Sequence, residues 1–450
     1  MVGMTVFHAD LAAQSVPRYT SYPTAASFSA AVGASEQRQA LGRTAEGSRL
    51  SLYLHVPFCE RICWYCGCNT GAVGRTSRVT RYADALIREI GQVADLASGR
   101  VTRVHFGGGS PNALPRSDFV GVCEALRRSF RIDSDAEWAV ELDPRGLDAD
   151  YAQTLAECGI TRASLGAQTF SMPIQVRINR LQPFREVALR AAELRAAGVK
   201  ALNLDLMYGL PGQTLDDIAT TISRMRLLAP DRVAMFGYAH MPRLLPRQRM
   251  IDGAALPDAG ARFAQSLLAR DLLQEQGFTM IGFDHYARPE DRLAQAAASG
   301  RLRRNFQGFT DDDADVLIGL GASAISQVEQ TIVQNEKHIG RYEEAVTAGC
   351  LAGTRGVLLQ PADRTRGWAI ERLLCDGAVD LDAAQRTFGT QGLLDRRTHD
   401  RLAALVLRGI VEISGAKLKL TPEGLPYARL VASAFDQHSQ LDAPRFSRAV

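Results

Sequence analysis

The chain has 450 residues, of which 46% are hydrophobic and 22% charged, so it can bury a large core and is not disordered. Its 52 basic and 49 acidic residues leave a formal net charge of only +3, which indicates neither nucleic acid nor a membrane as partner. The sequence shows no basic region followed by an apolar run at its start, and no window reaches the roughly 18 apolar residues of a membrane span. We therefore expect a cytoplasmic protein, and a monomer.

The first 48 residues come before the first predicted strand. They contain the sequence PRYTSYPTA at 17–25, whose prolines and hydroxyl residues are typical of turns. This segment is too distinctive for a simple spacer. We predict that residues 1–48 form an arm that lies on the body of the protein.

Short apolar runs alternate with amphipathic segments between about residues 50 and 240. Six of the runs predict strands: Ser51–Val56, Val101–Phe106, Trp138–Leu142, Arg162–Leu165, Ala201–Met207 and Val233–Tyr238. The segments between them have the apolar spacing of helices. Repeated right-handed βα units of this number close into a barrel or part of one. The predicted fold class is therefore α/β, with a partial TIM-like (β/α)6 barrel and its extension over residues 49–355.

The pattern changes towards the end of the chain. A long helical pattern covers 258–276, and beyond residue 356 short helical patterns surround the turn-like sequence LKLTPEG. These features predict a small, mainly helical or winged-helix-like domain over residues 356–450.

A group of four cysteines follows the first predicted strand. They are Cys59, Cys63, Cys66 and Cys68 in the sequence CERICWYCGC. Three thiolates at the first three positions can bind three irons of a 4Fe–4S cluster and leave the fourth iron open to a small molecule. The alternative is a structural zinc site that uses all four thiolates, although such sites usually contain two separated CxxC pairs. The other four cysteines are expected to be ordinary buried residues: Cys123, Cys158, Cys350 and Cys375.

Further polar and glycine residues lie near the carboxyl ends of the predicted strands, where α/β folds gather their chemistry. The sequence GGGSP at 107–111 suits close backbone approach to a ligand. Glu141 and Asp205 lie in apolar strands, where a carboxylate needs a partner. That partner is either a ligand or an arginine, and Arg180 is a candidate either for this ion pair or for holding a ligand carboxylate.

The cysteine spacing resembles the signature of the radical S-adenosylmethionine (SAM) superfamily. A longer series of sequences then resembles one branch of it, the oxygen-independent coproporphyrinogen III oxidase family. The series, in chain order, is PRYTSYPTA, YLHVPFCERICWYCGC, HFGGGSPN, ELDPR, SLGAQTF, INRLQ, LNLDLMYGLPGQT, FGYAHMP, MIGFDHYARPED, RNFQGFT and GLGASAISQ. The resemblance implies a radical SAM barrel, and an enzyme that converts two propionates of coproporphyrinogen III to vinyl groups without oxygen, giving protoporphyrinogen IX for heme synthesis.

The resemblance also implies cofactors and site residues. The cofactors are one 4Fe–4S cluster, held by Cys59, Cys63 and Cys66, and SAM, with two molecules bound. Cys68 and Tyr53 match positions important for catalysis. The cofactor-binding positions are matched by Tyr53, Tyr65, Gly108, Gly109, Ser110, Glu141, Gln168, Arg180, Asp205, Ala239, Phe306, Gln307 and Ile325. The last group, Phe306, Gln307 and Ile325, corresponds to positions near a second SAM or the substrate. Ser110 and Asn112 depart from the threonines that are frequent at these positions, and serine keeps the hydroxyl group.

Two relatives of the same superfamily remain as alternatives. One is a heme chaperone, which typically lacks the fourth cysteine and the PRYTSYPT sequence, and the other is a radical SAM methyltransferase or cyclopropanase. The partners implied are coproporphyrinogen III, an electron donor such as flavodoxin or ferredoxin, and an electron acceptor that the sequence does not identify. Arg18, Arg288 and Arg304 are candidates for binding the substrate carboxylates, because a guanidinium group matches a carboxylate.

Overall fold

The computed structural model describes residues 6–389, 393–438 and 446–449. Numbered along the chain, its strands are β1 (Arg49–Val56), β2 (Phe58–Cys59), β3 (Gly71–Ala72), β4 (Arg100–Gly108), β5 (Ile132–Leu142), β6 (Arg162–Gln168), β7 (Ala201–Tyr208), β8 (Arg232–Gly237), β9 (Thr279–Ile281), β10 (His285–Ala287), β11 (Arg303–Asn305), β12 (Gly308–Thr310), β13 (Val316–Leu320), β14 (Ile325–Val328), β15 (Thr331–Asn335), β16 (Gly353–Leu358), β17 (Ala378–Asp380), β18 (Val411–Ser414) and β19 (Lys417–Leu420).

The α-helices are α1 (Ala9–Ala12), α2 (Ala34–Leu41), α3 (Thr76–Ala94), α4 (Arg116–Ser129), α5 (Ala149–Glu157), α6 (Met172–Arg177), α7 (Phe184–Ala197), α8 (Leu215–Arg226), α9 (Ala259–Glu275), α10 (Arg292–Ala298), α11 (Ile339–Thr347), α12 (Pro361–Asp376), α13 (Leu381–Phe388), α14 (Arg396–Val406) and α15 (Ala428–Ser433). In the part of the chain that the structure describes, no helix combines the length and apolarity needed to cross a membrane.

A twisted sheet forms the centre of the molecule, with strand order β16-β15-β14-β13-β1-β4-β5-β6-β7-β8-β10-β9. The six predicted strands are β1 and β4 to β8, and they run parallel as neighbours, which confirms the α/β prediction. The sequence analysis did not identify β13, which lies parallel to the other side of β1. Antiparallel strands continue both edges, β14 to β16 beyond β13 and then β10 and β9 beyond β8.

The helices between the parallel strands cover the sheet with apolar faces. α3 buries Val79, Leu86 and Ile90 among others, spaced so that they share one side of the helix. α9 begins after Asp258, whose carboxylate accepts a hydrogen bond from the Ala261 N–H, as predicted by the helical pattern from residue 258. The largest apolar core lies between these helices and the sheet.

A second core joins the two ends of the chain. It contains Leu11, Val16 and Tyr19 from the N-terminal residues together with apolar residues of α12 and α15. The Tyr19 hydroxyl donates to the Asp436 carboxylate over 3.0 Å. The described C-terminal residues form four helices, α12 to α15, and a sheet of order β17-β19-β18. The N-terminal residues therefore pack against the C-terminal part of the chain as well as against the barrel.

Candidate functional site

A cavity of about 380 Å³ lies at the carboxyl ends of the parallel strands. It brings together most of the predicted site residues. Those that line it are Cys59, Cys63, Tyr65, Cys66, Cys68, Gly108, Gly109, Ser110, Glu141, Gln168, Arg180, Asp205 and Ala239. We call this space the cluster cavity.

Backbone carbonyls hold the cysteine loop in place over the barrel. The Trp64 N–H donates to the Ile178 carbonyl over 3.1 Å. The Gln248 side-chain amide donates both to the Tyr65 carbonyl, over 2.8 Å, and to the Ala239 carbonyl, over 3.1 Å. The loop that carries the thiols is thereby fixed to two other elements at the rim of the barrel, which predefines where the thiols lie.

Two arginines contact the thiol of Cys63. Arg180 Nη1 lies 3.1 Å and Arg145 Nη2 3.3 Å from Cys63 Sγ. Asp143 joins the two guanidinium groups, at 2.6 Å from Arg145 and 3.5 Å from Arg180. Burial favours the neutral form of Asp143, but the charges of Arg180 and Arg145 outweigh it and lower its pKa. A thiolate at Cys63 would lie in a positive environment.

The other thiols have neighbours of their own. Burial raises the pKa of Cys59, although Thr70 and Ser110 hydroxyls lie 3.2 and 3.5 Å from its sulfur. A hydrogen bond from the Cys68 side chain, helped by the Cys68 N–H, lowers the pKa of Cys66 to about 6. Cys68 is thus the thiol that keeps its proton beside a Cys66 thiolate, and its own pKa is raised.

The donor set of this cavity fits an iron–sulfur cluster. Thiolates are the ligands that such clusters take, one on each iron. Among the described residues, no three His, Cys, Asp or Glu side chains are arranged as the ligands of a single metal ion. Cys59, Cys63 and Cys66 all line this cavity, and as thiolates they would provide separate ligands for separate irons.

The glycine loop approaches the cysteine loop too closely for side chains. Gly108 has φ +109°, and a Cβ there would come within 2.6 Å of the His55 ring. A Cβ on Gly109 would lie 2.4 Å from the Phe58 carbonyl. Ser110 also donates its N–H to that carbonyl, over 2.7 Å. These positions require glycine because two loops meet here and leave only backbone at the cavity wall.

Glu141 has a histidine partner, and no arginine pairs with it among the described residues. His105 Nε2 lies 3.1 Å from one carboxylate oxygen, and the Gly108 N–H donates to the other over 3.3 Å. Burial favours the neutral acid, but these hydrogen bonds and the His105 charge outweigh it and lower the pKa of Glu141. Tyr53 stacks on His105 with ring centroids 5.8 Å apart, and its hydroxyl lies 3.1 Å from His55 Nδ1. Tyr53 therefore lies behind Glu141 and does not line the cluster cavity.

Asp205 behaves in the opposite way. Its carboxylate accepts a hydrogen bond from the Ser164 hydroxyl over 3.1 Å. Burial and the nearby negative charge of Glu141 raise the pKa of Asp205 to about 6. Two carboxylates on one wall thus differ, because Glu141 has donors that stabilise its charge and Asp205 has few. Such a pair is suited to a cationic ligand, whose charge would favour ionised Asp205.

A second cavity of about 270 Å³ continues into the barrel below the cluster cavity. Glu141, Ser164 and Asp205 line both cavities, and Gln307 lines the second. Phe306 and Ile325 are predicted near the same ligand as Gln307. They pack against the apolar cluster of Phe28, Ile332 and Leu359 and do not line this cavity, and Ile325 begins β14, which lies between β13 and β15.

The floor of this second cavity is an ionic network with three arginines and three carboxylates at its centre. We call these six residues the floor network: Arg103, Glu137, Arg162, Arg232, Asp291 and Asp311. At its edge, Arg292 pairs with Asp311 over 3.3 Å and Asp312 pairs with Arg103 over 3.5 Å. Arg103 contacts Glu137 over 3.0 Å and Asp311 over 2.6 Å. The charges balance within the network.

Several expectations need correction. Of the three arginines proposed for substrate carboxylates, Arg18 lines the cluster cavity, whereas Arg288 donates to the Gln276 carbonyl over 2.6 Å and stacks on Phe278. Arg304 stacks over Phe283 and Phe309 and lines neither the cluster cavity nor the second cavity. Cys350 is exposed, although it was expected to be buried, because it follows the end of α11 at the surface.

Three further functional residues were not identified from the sequence. Asp143 and Arg145 lie in the ELDPR sequence directly after Glu141, which was the available signal. The third is His105, which the pairing of β4 with β5 brings beside Glu141.

The sequence was compared with known families and proteins. The pattern of the Radical SAM superfamily matches residues 53–225. The oxygen-independent coproporphyrinogen III oxidase of Bradyrhizobium diazoefficiens is 42% identical over 448 residues, covering 98% of this chain and 100% of that protein. The protein of the same name from Escherichia coli K12 is 36% identical over 441 residues, with 96% of each chain covered.

A solved structure agrees with the sequence comparison. Coproporphyrinogen III oxidase from Escherichia coli, described as a radical SAM enzyme, matches with a TM-score of 0.89 and 34% identity over 94% of this chain and 98% of that chain. The radical SAM superfamily uses a 4Fe–4S cluster and SAM, which agrees with the thiol donor set of the cluster cavity. The cysteine-lined cavity, the parallel barrel and these full-length similarities together place the chain in the oxygen-independent coproporphyrinogen III oxidase family of radical SAM enzymes.

Proposed function

We propose that this protein is an oxygen-independent coproporphyrinogen III oxidase, which acts in heme and porphyrin biosynthesis. It converts two propionate side chains of coproporphyrinogen III to vinyl groups and releases protoporphyrinogen IX. Each propionate loses one hydrogen atom from its β-carbon, one electron and CO2. The observation that carries the proposal is the convergence of the cysteine loop, the glycine loop, Glu141 and Asp205 on one cavity in a chain similar to such oxidases over its full length.

In this proposal Cys59, Cys63 and Cys66 hold the cluster. When bound, the cluster and SAM supply an electron and a hydrogen-abstracting group, chemistry that no amino-acid side chain provides. Arg180 and Arg145 stabilise the thiolate of Cys63 through their contacts of 3.1 and 3.3 Å. Cys68 does not act as a cluster ligand in this proposal, and its N–H donates to Cys66 Sγ over 3.4 Å.

The wall opposite the cysteines orients SAM. Glu141 and Asp205 provide negative charge for its ammonium or sulfonium group, and Gln168 and Ser110 provide polar contacts. Gly108 and Gly109 keep the wall free of side chains. Tyr53 acts as a positioning residue, because its ring supports the His105 that holds Glu141.

We further propose that a second SAM molecule occupies the second cavity, beside Gln307. Glu141 and Asp205 line both this cavity and the cluster cavity. Phe306 and Ile325 act on this ligand only indirectly, through the apolar cluster in which they pack. This assignment predicts that Gln307→Ala weakens the second of two SAM binding steps and leaves the first unchanged, as measured by equilibrium dialysis.

The remaining parts of the proposal concern organisation and partners. An N-terminal arm (1–48), a catalytic barrel with its extension (49–355) and a C-terminal domain (356–450) act together as a cytoplasmic monomer. A flavodoxin or ferredoxin supplies the electron that reduces the cluster, and a separate acceptor removes the electron left by each decarboxylation. A reducing compartment suits eight cysteines, none of which forms a disulfide among the described residues.

Anaerobic turnover tests the proposal. The protein is reconstituted with iron and sulfide and given a reductant, SAM, coproporphyrinogen III and an electron acceptor, and porphyrin products, 5′-deoxyadenosine and CO2 are followed together. We expect protoporphyrinogen IX, with CO2 and 5′-deoxyadenosine formed in equal amounts. A Cys350→Ser variant, which changes an exposed cysteine outside the site, serves as the control and should match the wild type.

Other outcomes would support a different member of the superfamily. Formation of 5′-deoxyadenosine with intact coproporphyrinogen would remove the substrate assignment and keep the radical chemistry. Stable binding of heme without turnover would indicate a chaperone, and formation of S-adenosylhomocysteine would indicate a methyltransferase.

A further inference from the structure

A narrow pocket of about 70 Å³ opens beside the cluster cavity, between the barrel, the N-terminal residues and the C-terminal residues. Five arginines line it: Arg18, Arg262, Arg270, Arg429 and Arg448. We call it the arginine pocket. Arg18 and Tyr238 line both this pocket and the cluster cavity, so the two spaces are neighbours.

Positive charge in the arginine pocket is not balanced. Asp284 is the single carboxylate that lines it among the described residues, and His285 Nδ1 lies 2.6 Å from that carboxylate. Arg270 pairs with Asp271 outside the pocket lining. Among the described residues, the other four arginines have no carboxylate within ion-pair distance. Arg18 and Arg429 donate hydrogen bonds to backbone carbonyls, which carry no net charge.

Arg262 and Arg429 are half-buried, whereas Arg18 and Arg448 are exposed. Arg262 Nε is buried without a hydrogen-bond partner among the described residues, and its guanidinium lies 5.8 Å from the centroid of the Tyr208 ring. Arg429 donates to the carbonyls of Arg448 and Ala449, each over 2.7 Å. Burial, with the charges of Arg18 and Arg304, lowers the pKa of Arg429 to about 10. Buried cations cost free energy unless an anion pairs with them.

From this geometry we propose that the arginine pocket binds a carboxylate of the substrate, namely a propionate arm that does not react. The proposal rests on the proposed function, since it takes the substrate to be a tetrapyrrole with several carboxylates. The pocket is too small for a macrocycle and large enough for one carboxylate group. An arm held here leaves the macrocycle over the cluster cavity, because Arg18 and Tyr238 form the border between the two spaces.

Arg262 is the residue to change, because Arg429 also ties down the C-terminal backbone and its loss could disturb folding. The first variant is Arg262→Met, which removes the charge and keeps much of the side-chain length. The second is Arg262→Lys, which keeps the charge but loses the paired N–H donors of the guanidinium group. Arg226→Met is the matched control, since Arg226 is an exposed arginine that lines none of these cavities.

The measurement is the dissociation constant of coproporphyrin III, by fluorescence, on the reconstituted full-length protein, compared with that of its uncharged tetraamide. We expect Arg262→Met to weaken binding of the tetraacid about 10- to 100-fold, the range for a lost hydrogen bond to a charged group. Tetraamide binding should stay equal to wild type, and Arg262→Lys should restore part of the loss. A structural role for Arg262 would weaken both probes alike.

The result that overturns the proposal is equal tetraacid affinity in the wild type and in Arg262→Met. If that occurs while the wild type still forms protoporphyrinogen, the proposed function stands and only the pocket assignment fails. If the wild type neither binds coproporphyrin III nor converts coproporphyrinogen III, both fail. Loss of inorganic phosphate binding in Arg262→Met, with unchanged tetraacid affinity, would also overturn the proposal and assign the pocket to a free anion.

Discussion

Buried charges lie at two levels of the barrel, and they are arranged differently. In the floor network each arginine meets carboxylates and each carboxylate meets arginines, as Asp291 does with Arg162 at 3.3 Å and with Arg232 at 2.7 Å. At the carboxyl ends of the strands, the carboxylate of Asp205 has a serine hydroxyl as its only hydrogen-bond donor among the described residues, and its pKa is raised to about 6. The floor network balances its own charges through ion pairs, whereas Asp205 at the upper level faces a cavity without an ion-pair partner among the described residues.

The difference separates stability from binding. Charges that satisfy one another are part of the folded structure, and removing one leaves an uncompensated partner. Charges left facing a cavity carry a free-energy cost in the folded protein that a ligand of opposite charge can relieve. We therefore expect substitutions in the floor network to act on stability, and substitutions around the cluster cavity to act on cofactor binding and turnover.

The largest expected effect is at the cluster ligands. Cys63→Ala should reduce bound iron and the visible absorbance of the reconstituted protein to near background and abolish turnover, because one of three thiolate ligands is lost. Iron analysis and the absorbance spectrum check this, with Cys350→Ser as the control. A variant that kept both its full iron content and its turnover would show that Cys63 does not bind the cluster.

The next effect is at the floor. Asp291→Asn keeps a side chain that can cap α10 but leaves Arg162 and Arg232 without their shared carboxylate. We expect unfolding free energy to fall by about 3–5 kcal/mol, as measured by denaturant unfolding. Asp271→Asn, which removes an exposed carboxylate that pairs with Arg270 at 2.9 Å, is the control and should change stability by less than about 1 kcal/mol.

A substitution of Arg180 tests the charges at the carboxyl ends of the strands. Arg180→Met removes the contact with Cys63 Sγ and should weaken cluster retention or turnover about 10- to 100-fold, as loss of a residue that supports a metal ligand typically does. The rate of iron loss to a chelator measures this. Arg185→Met, an exposed arginine at the start of α7, is the matched control. Equal rates in both variants would contradict the role given to Arg180.

Replacing Asp205 should have the smallest effect on the free energy of unfolding, and it should raise this free energy, whereas Asp291→Asn lowers it. Because its folded-state pKa of about 6 lies above the ordinary value of 3.8, the folded protein loses stability as the pH rises between these values. Asp205→Asn removes that cost and should stabilise the SAM-free protein by roughly 1–2 kcal/mol at pH 8. Denaturant unfolding at pH 8 and below pH 3.8 checks it, since the gain should vanish at the lower pH. A loss of stability at pH 8 would contradict the account.

Much of the barrel could be predicted from sequence. A run of apolar residues predicts a strand from neighbouring positions alone, and the residues that end the strand follow directly in the sequence. Glu141 and Asp205 were found in this way, and the structure places them together because β5 and β7 both pair with β6. The cysteine loop was found because four cysteines so close together have few structural explanations.

The missed features depend on contacts between distant parts of the chain. β13 pairs with β1 although more than 250 residues separate Val316 from Leu50 along the chain, and no local pattern records that pairing. The arginine pocket likewise combines Arg18, Arg262 and Arg429 from three separate regions. The packing of Phe306 and Ile325 in an apolar cluster was likewise not predicted, because similarity to a family position does not fix the direction in which a residue packs.

Thermal unfolding of the reconstituted protein, with and without SAM, tests the separation of stability from binding most directly. A ligand that binds the folded state raises its stability, so the increase in Tm caused by SAM reports binding. We predict a lower Tm for Asp291→Asn with the full increase from SAM, and an undiminished Tm for Asp205→Asn with most of that increase lost. Loss of the SAM effect in Asp291→Asn, or a full SAM effect in Asp205→Asn, would contradict the account.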